Sequence, residues 1–207
     1  SDLQAVSDNE LNKPYDLLKK VSNWRRFYAV INAASVFMEK APRTVELDRS
    51  YSEQNLKYDI AQVRALRAFA YFYMVRIWGD VPLVTYSYDN GTFPSMPRTD
   101  AQTVLSYAKA ELLTAIEDLP YQYGTQTNLY YGSYGAQWQG KLFNKLSAYS
   151  VLAHICAWQG NYAEAETYSA FIIDHASEIN AKYTSIADLT SETGLFYSNA
   201  SVKGSRI

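Results

Sequence analysis

Asp59-Ile-Ala-Gln-Val-Arg-Ala-Leu-Arg-Ala-Phe-Ala-Tyr-Phe-Tyr-Met-Val-Arg-Ile-Trp78 runs directly into Gly79-Asp-Val-Pro-Leu-Val-Thr-Tyr-Ser-Tyr88. The first stretch predicts a long helix. Val63, Leu66, Ala70, Tyr73/Met74 and Ile77 recur at steps of three and four, and Ala61, Ala65, Ala68, Phe72 and Val75 form a second stripe beside them. An apolar arc that wide calls for burial on two or more sides. The alanines admit neighbouring helices at close range, and the narrow remaining face carries Arg64, Arg67, Tyr71 and Trp78. Gly79 ends the helix, because glycine reaches positive φ without steric cost. The alternation from Val81 to Tyr88, with Asp89-Asn-Gly91 as a turn signal, predicts an extended excursion or short hairpin.

More helices follow on either side. Leu17, Val21, Trp24, Tyr28, Ile31, Ser35 and Met38 form one stripe of a helix over about 15–38. Ser35, the small polar residue of that stripe, is expected to face a partner helix or a backbone group. Pro42 reads as the helix stop, and residues 42–57 as a polar connector. A helix over 99–119 begins with Thr99 and Gln102 at capping-box spacing and stops at Pro120. Two more cover about 143–158 and 162–176, the second capped by Asn161 with Glu164. Residues 121–140 make a long loop rich in tyrosine, and the last thirty residues are weakly patterned. Tyr149, Leu152-Ala153, Cys156, Gly160-Asn-Tyr162 and Ala165 follow the spacing of a tetratricopeptide repeat, in which Tyr162 and Ala165 would lock the second helix onto the first. An ordinary helical hairpin is the alternative. The fold class is therefore mostly α, a TPR-like helical repeat scaffold with long irregular loops.

Composition narrows the function classes. The 207 residues are 48 % apolar and 19 % charged, which is globular rather than disordered. With 19 Lys+Arg against 21 Asp+Glu the net charge is −2, not the basic footprint of a nucleic-acid domain. The longest apolar run, Ala68 to Val75, falls far short of the ~20 residues a membrane helix needs. One cysteine excludes an internal disulfide, and with two histidines it excludes the usual zinc cages. No nucleophile triad order, HExxH or phosphate-binding glycine loop is present, so no catalytic residue, cofactor site or metal site is assigned. His154 and Cys156 lie two apart on one helix and point to different faces; the first reads as a surface or interhelix residue, the second as a small apolar filler. Glu164 and Glu166 read as a solvated face, and Arg64 and Arg67 as structural bridges to neighbouring helices. The chain starts at Ser1 with no leader pattern, as expected of a trimmed start.

Ala61-Gln-Val-Arg-Ala-Leu-Arg-Ala-Phe-Ala-Tyr-Phe72, followed by Val75-Arg-Ile-Trp-Gly-Asp-Val-Pro-Leu-Val-Thr85, resembles the hallmark of the SusD/RagB family. Trp24…Tyr28…Ile31, Arg98…Glu111-Leu112…Leu119-Pro120 and Gly140-Lys141…Leu152-Ala153…Gly160-Asn-Tyr162 resemble its further segments in order and spacing. Gln62, Ser35 and Lys141 depart from the family's acid, Asn and Arg at those positions. The resemblance covers about residues 20–180 and implies a helical domain over 1–180. It implies that 181–207, with Glu192-Thr-Gly-Leu-Phe196, open a second half that is truncated here.

The resemblance also implies function. Members are outer-membrane lipoproteins of Bacteroidetes on the extracellular face, with the anchoring cysteine upstream of Ser1, so membrane contact comes only through that lipid. They bind glycans or sometimes peptides without cleaving them, and pass them to a TonB-dependent, SusC-like transporter. Sugars need flat aromatic faces with polar groups beside them. The candidate ligand-binding residues are accordingly Tyr130, Tyr131, Tyr134 and Trp138 in the long loop, beside Asn128 and Gln137, and Tyr88 and Asn90 with Tyr86 in the hairpin. These tyrosines could equally pack loops or meet the transporter, so a protein-interaction module without its own ligand site is the alternative, and a glycan-cleaving enzyme a third.

Overall fold

The computed structural model describes residues 2–8, 10, 19, 23–88, 94–123 and 141–179. Among these the elements are α1 (Asp2–Ser7), α2 (Arg25–Lys40), α3 (Pro42–Leu47), α4 (Glu53–Trp78), α5 (Ala101–Asp118), α6 (Lys145–Trp158), α7 (Tyr162–Asp174) and a 3-10 turn, Ala176–Ile179. The larger helices pack in sequence order: α2 on α4, α4 on α5, α5 on α6 and α6 on α7. This is the helical, TPR-like layer expected from the sequence, with no sheet among the described residues. No described helix is long and apolar enough to cross a membrane. Residues 181–207 lie outside the described residues.

Each start has a local cause. Ser52 Oγ accepts from Asn55 N–H at 3.1 Å and begins α4 six residues before the expected Asp59. Residues 42–57 are thus no plain connector. Pro42, read as a stop, is also the opening of α3, where its missing N–H costs nothing. The α5 cap lies one residue beyond Thr99. Thr99 is held in an antiparallel bridge to Val81, and Asp100 Oδ1 takes Thr103 N–H at 3.0 Å. Asn144 and Ser147 form a reciprocal capping box for α6. Asn161 caps α7 as expected, after Gly160 turns the chain at φ +81°.

The core runs along α4. Ala61, Ala65 and Ala68 let α2 and α5 approach, and Ile31, Met74, Leu105, Leu112 and Leu152 fill the space between helices. One expectation about faces fails. The narrow face that carries Arg67 and Tyr71 is buried, at 5 % and 0 % exposure, whereas Leu66, Tyr73 and Ile77, expected in the core, are exposed. The cause is a buried polar network that claims the other side of the helix, described below. Tyr162 is also misplaced: it is 73 % exposed and locks nothing. The α6–α7 contact is made by Tyr149 stacking on Phe171, ring centroids 4.1 Å apart.

Candidate functional site

Among the described residues the segment after Gly79 has no strand neighbour beyond one bridge, in which Val81 and Thr99 exchange backbone hydrogen bonds of 3.2 and 3.0 Å. Its remaining backbone groups need partners, and side chains of α2 and α4 supply many of them. Tyr28 donates to Pro82 O at 2.7 Å. Tyr71 donates to Val84 O and accepts from Val84 N–H, both at 2.8 Å. Arg67 reaches Thr85 O at 3.4 Å. Glu39 accepts from Ser87 N–H at 2.9 Å and from Ser87 Oγ–H at 2.5 Å. Asn32 accepts from Tyr88 N–H at 2.7 Å and donates to Tyr88 O at 3.1 Å.

Tyr28, Asn32, Ser35 and Glu39 share one stripe of α2 at steps of four, three and four. Ser35 Oγ donates to Ile31 O at 3.0 Å and accepts from Arg67 Nη1 at 2.9 Å, as the sequence led us to expect of a lone polar residue on an apolar stripe. The two arginines bridge to a carboxylate, also as expected. Arg64 Nη1 lies 2.7 Å from Glu111 Oε1, and Arg67 places Nε at 3.0 Å and Nη2 at 2.5 Å from Oε2. Buried Glu111 on α5 thus ties α4 to α5, while Arg67 also ties α4 to α2 and to the segment.

This frame presents Tyr86 and Tyr88. Their rings lie 4.9 Å apart, tilted by 46°, and Tyr88 OH donates to Tyr86 OH at 2.5 Å. Tyr86 is 51 % exposed. Burial, and then the bond to Tyr86, push the Tyr88 hydroxyl up to about 12, so Tyr88 keeps its proton at physiological pH. Two adjoining rings with hydroxyls at one edge offer C–H-rich faces a surface and hydroxyls a partner. Tyr88 is therefore where the sequence put it, on the excursion. Tyr130, Tyr131, Tyr134, Trp138, Asn90, Asn128 and Gln137 lie outside the described residues.

Asn32 and Glu39 were missed by the sequence reading. The available signal was a polar stripe at helical spacing, Asn32-x-x-Ser35-x-x-x-Glu39, running along a helix that otherwise buries apolar residues. Cys156 is buried, as expected of a small filler on the helix stripe, and burial pushes its thiol up. Lys109 sits 2.5 Å from Glu164 Oε1, which Tyr168 OH also meets at 3.0 Å; the lysine bond holds the carboxyl below its ordinary range. Glu166 and His154 are exposed. No group of three or more His, Cys, Asp or Glu among the described residues could hold a metal.

No family model matches the sequence. SusD-like protein P38 of Formosa agariphila is 30 % identical over 147 residues, which is 70 % of this chain and 24 % of that protein. A solved laminarin-binding SusD-like protein is 27 % identical, with a TM-score of 0.56 over 70 % of this chain and 28 % of its own. A SusD-like carbohydrate-binding protein from Bacteroides fragilis, 20 % identical, gives a TM-score of 0.62 over 86 % of this chain and 34 % of its own. This chain belongs to the SusD-like family. It spans about a quarter of the length of curated relatives such as P38.

The SusD-like motif can now be read as mechanics. Asp80 Oδ1 accepts from Ala101 N–H at 2.9 Å and supports the start of α5. Val81 makes the bridge, and Val84 is clamped by Tyr71 through both its backbone groups. Gln62, which stands where the resemblance has an acid, uses its amide fully: Oε1 accepts from Phe143 N–H at 2.8 Å, and Nε2 donates to Phe143 O and to Tyr123 OH. A carboxylate could not make those two donations. Lys141, in place of the Arg, is exposed and precedes α6.

Proposed function

We propose that this SusD-like chain is part of a surface lipoprotein that captures oligosaccharides and delivers them to a TonB-dependent transporter at the extracellular face of the outer membrane. The observation that carries the reading is the Tyr86–Tyr88 pair, Tyr86 exposed and Tyr88 half-buried, on a segment whose backbone is tied to two helices. Such a platform loses little conformational freedom when a sugar ring settles on it. Recognition is by stacking and hydroxyl contacts, with no bond made or broken in the ligand. The laminarin-binding relative supports the ligand class. The tyrosine-rich loop, with Tyr130, Tyr131, Tyr134 and Trp138, would extend the same surface.

Affinity electrophoresis through gels containing laminarin or other polysaccharides tests this. The protein is expected to be retarded, and a Tyr86→Ala/Tyr88→Ala variant to lose most of that retardation. Retention of the full shift in that variant, with loss in Trp138→Ala/Tyr131→Ala, moves the site to the loop. Release of reducing ends refutes a binding-only role.

One observation favours the interaction module as a second reading. Leu66, Tyr73 and Ile77 stand exposed along one face of α4, and Arg76 lies 5.3 Å from the Tyr73 ring centroid and 5.5 Å from that of exposed Trp158. Aromatic and arginine side chains of this kind are enriched at protein interfaces. Co-purification with a β-barrel partner, without retardation in any polysaccharide gel, would select it.

A further inference from the structure

We infer that the groove between α2, α3 and the start of α4 is a second saccharide-binding site, distinct from the tyrosine pair. It is a cavity of about 710 Å³, within the usual range for small-ligand sites. Phe37 and Tyr51 bring aromatic rings to its wall, and Lys40, Thr44, Asp48 and Asp59 bring polar groups. Tyr51 OH donates to Asp59 Oδ2 at 2.7 Å, so donor and acceptor groups sit side by side in an otherwise apolar lining. A sugar ring matches that mixture, because each hydroxyl both donates and accepts while the ring's C–H face is apolar. A purely apolar ligand would strip water from the carboxylates without replacing their hydrogen bonds.

One local detail favours a hydroxyl-bearing ligand. Asp48 Oδ1 is engaged by Ser50 N–H at 2.9 Å and Ser50 Oγ–H at 2.6 Å, so the carboxylate is fixed in place with Oδ2 left as an acceptor. The groove is lined from α2 by Ala33, Val36, Phe37 and Lys40, whereas Asn32 and Glu39 on the adjoining stripe hold the Tyr86–Tyr88 segment. One helix therefore carries both sites on neighbouring faces. The inference takes its ligand class from the reading above, but its place is independent of it.

The test is an amide NMR titration of the ¹⁵N-labelled chain with hexasaccharides of β-1,3-, β-1,4- and α-1,4-linked glucose. Shifts at Thr44, Asp48, Ser50 and Tyr51 are expected, with Phe37→Ala weakening the affinity read there at least five-fold. Asp48→Asn, which keeps an acceptor for Ser50, guards against a folding defect in the first variant and is expected to weaken it about three-fold. Shifts confined to Tyr86–Tyr88 overturn the groove site and leave the proposed function intact. Shifts confined to the groove support it and remove the tyrosine pair from binding. No shift at either place with any of the three sugars overturns both, as would groove shifts unchanged in both variants for the groove alone.

Discussion

Glu111 is one carboxylate facing two guanidinium groups, and the two contacts are unequal. Arg67 is almost wholly buried, whereas the Arg64 side chain keeps 27 % of its surface exposed. Truncating Glu111 to Ala leaves a buried cation unpaired and is expected to cost about 3–5 kcal/mol, while Arg64→Ala should cost no more than about 1 kcal/mol. Urea titrations of both variants check the contrast. Tyr71 acts on one residue of the segment: its hydroxyl satisfies both backbone groups of Val84. Tyr71→Phe orphans a buried N–H and a buried C=O, so a loss on the order of 2–4 kcal/mol is expected, with faster hydrogen exchange at the Val84 amide. The bridging role of the arginines was legible in the sequence, but the burial of Tyr71 and the exposure of Leu66, Tyr73 and Ile77 were not, because a fully paired polar side chain can be buried as deeply as leucine. The partners of that network come from α2, α5 and the excursion, 13 to 44 residues away in sequence.

Among the elements, the turns were the most legible, since their residues act on their own neighbours. Asn161 and Gly160 specify the α6–α7 corner through short-range geometry alone. Pro42 was ambiguous for a physical reason: a proline just after one helix and a proline opening the next make the same local demand. The two positive-φ glycines among the described residues separate further. A Cβ at Gly160 would meet no atom within 4 Å, so Gly160→Ala should cost only about 1–2 kcal/mol, the penalty of left-handed backbone. Gly79 combines φ +69° with ψ −120°, outside the left-handed helical basin that a C-terminal glycine was expected to occupy. Gly79→Ala is expected to cost up to about 3 kcal/mol and to loosen the Val81–Thr99 bridge just beyond it. Thermal melts of the two variants, run side by side, measure the difference. Of the candidate site, Tyr86 and Tyr88 were legible in the sequence, as residues of the excursion. The stripe of α2 that holds it became readable once the excursion lay across that helix.

For the whole molecule, tyrosine burial sets an alkaline limit. Burial raises the phenols of Tyr28, Tyr71, Tyr123 and Tyr168 above their ordinary value. The folded state then keeps protons that the unfolded chain releases, so this stabilisation is complete below pH ~10 and is lost as pH rises beyond it. Melting temperatures are expected to be flat from pH 8 to 9.5 and to fall steeply above 10, with absorbance at 295 nm rising in step with unfolding. A melting temperature that stays level to pH 12 would contradict the burial of these rings. The way the excursion is fastened has a consequence for evolution as well as for stability. Helix side chains grip its peptide groups, so the identities of Tyr86 and Tyr88 are scarcely constrained by the grip. New side chains could be exchanged there, like bits in a drill chuck, without redesigning the tool that holds them.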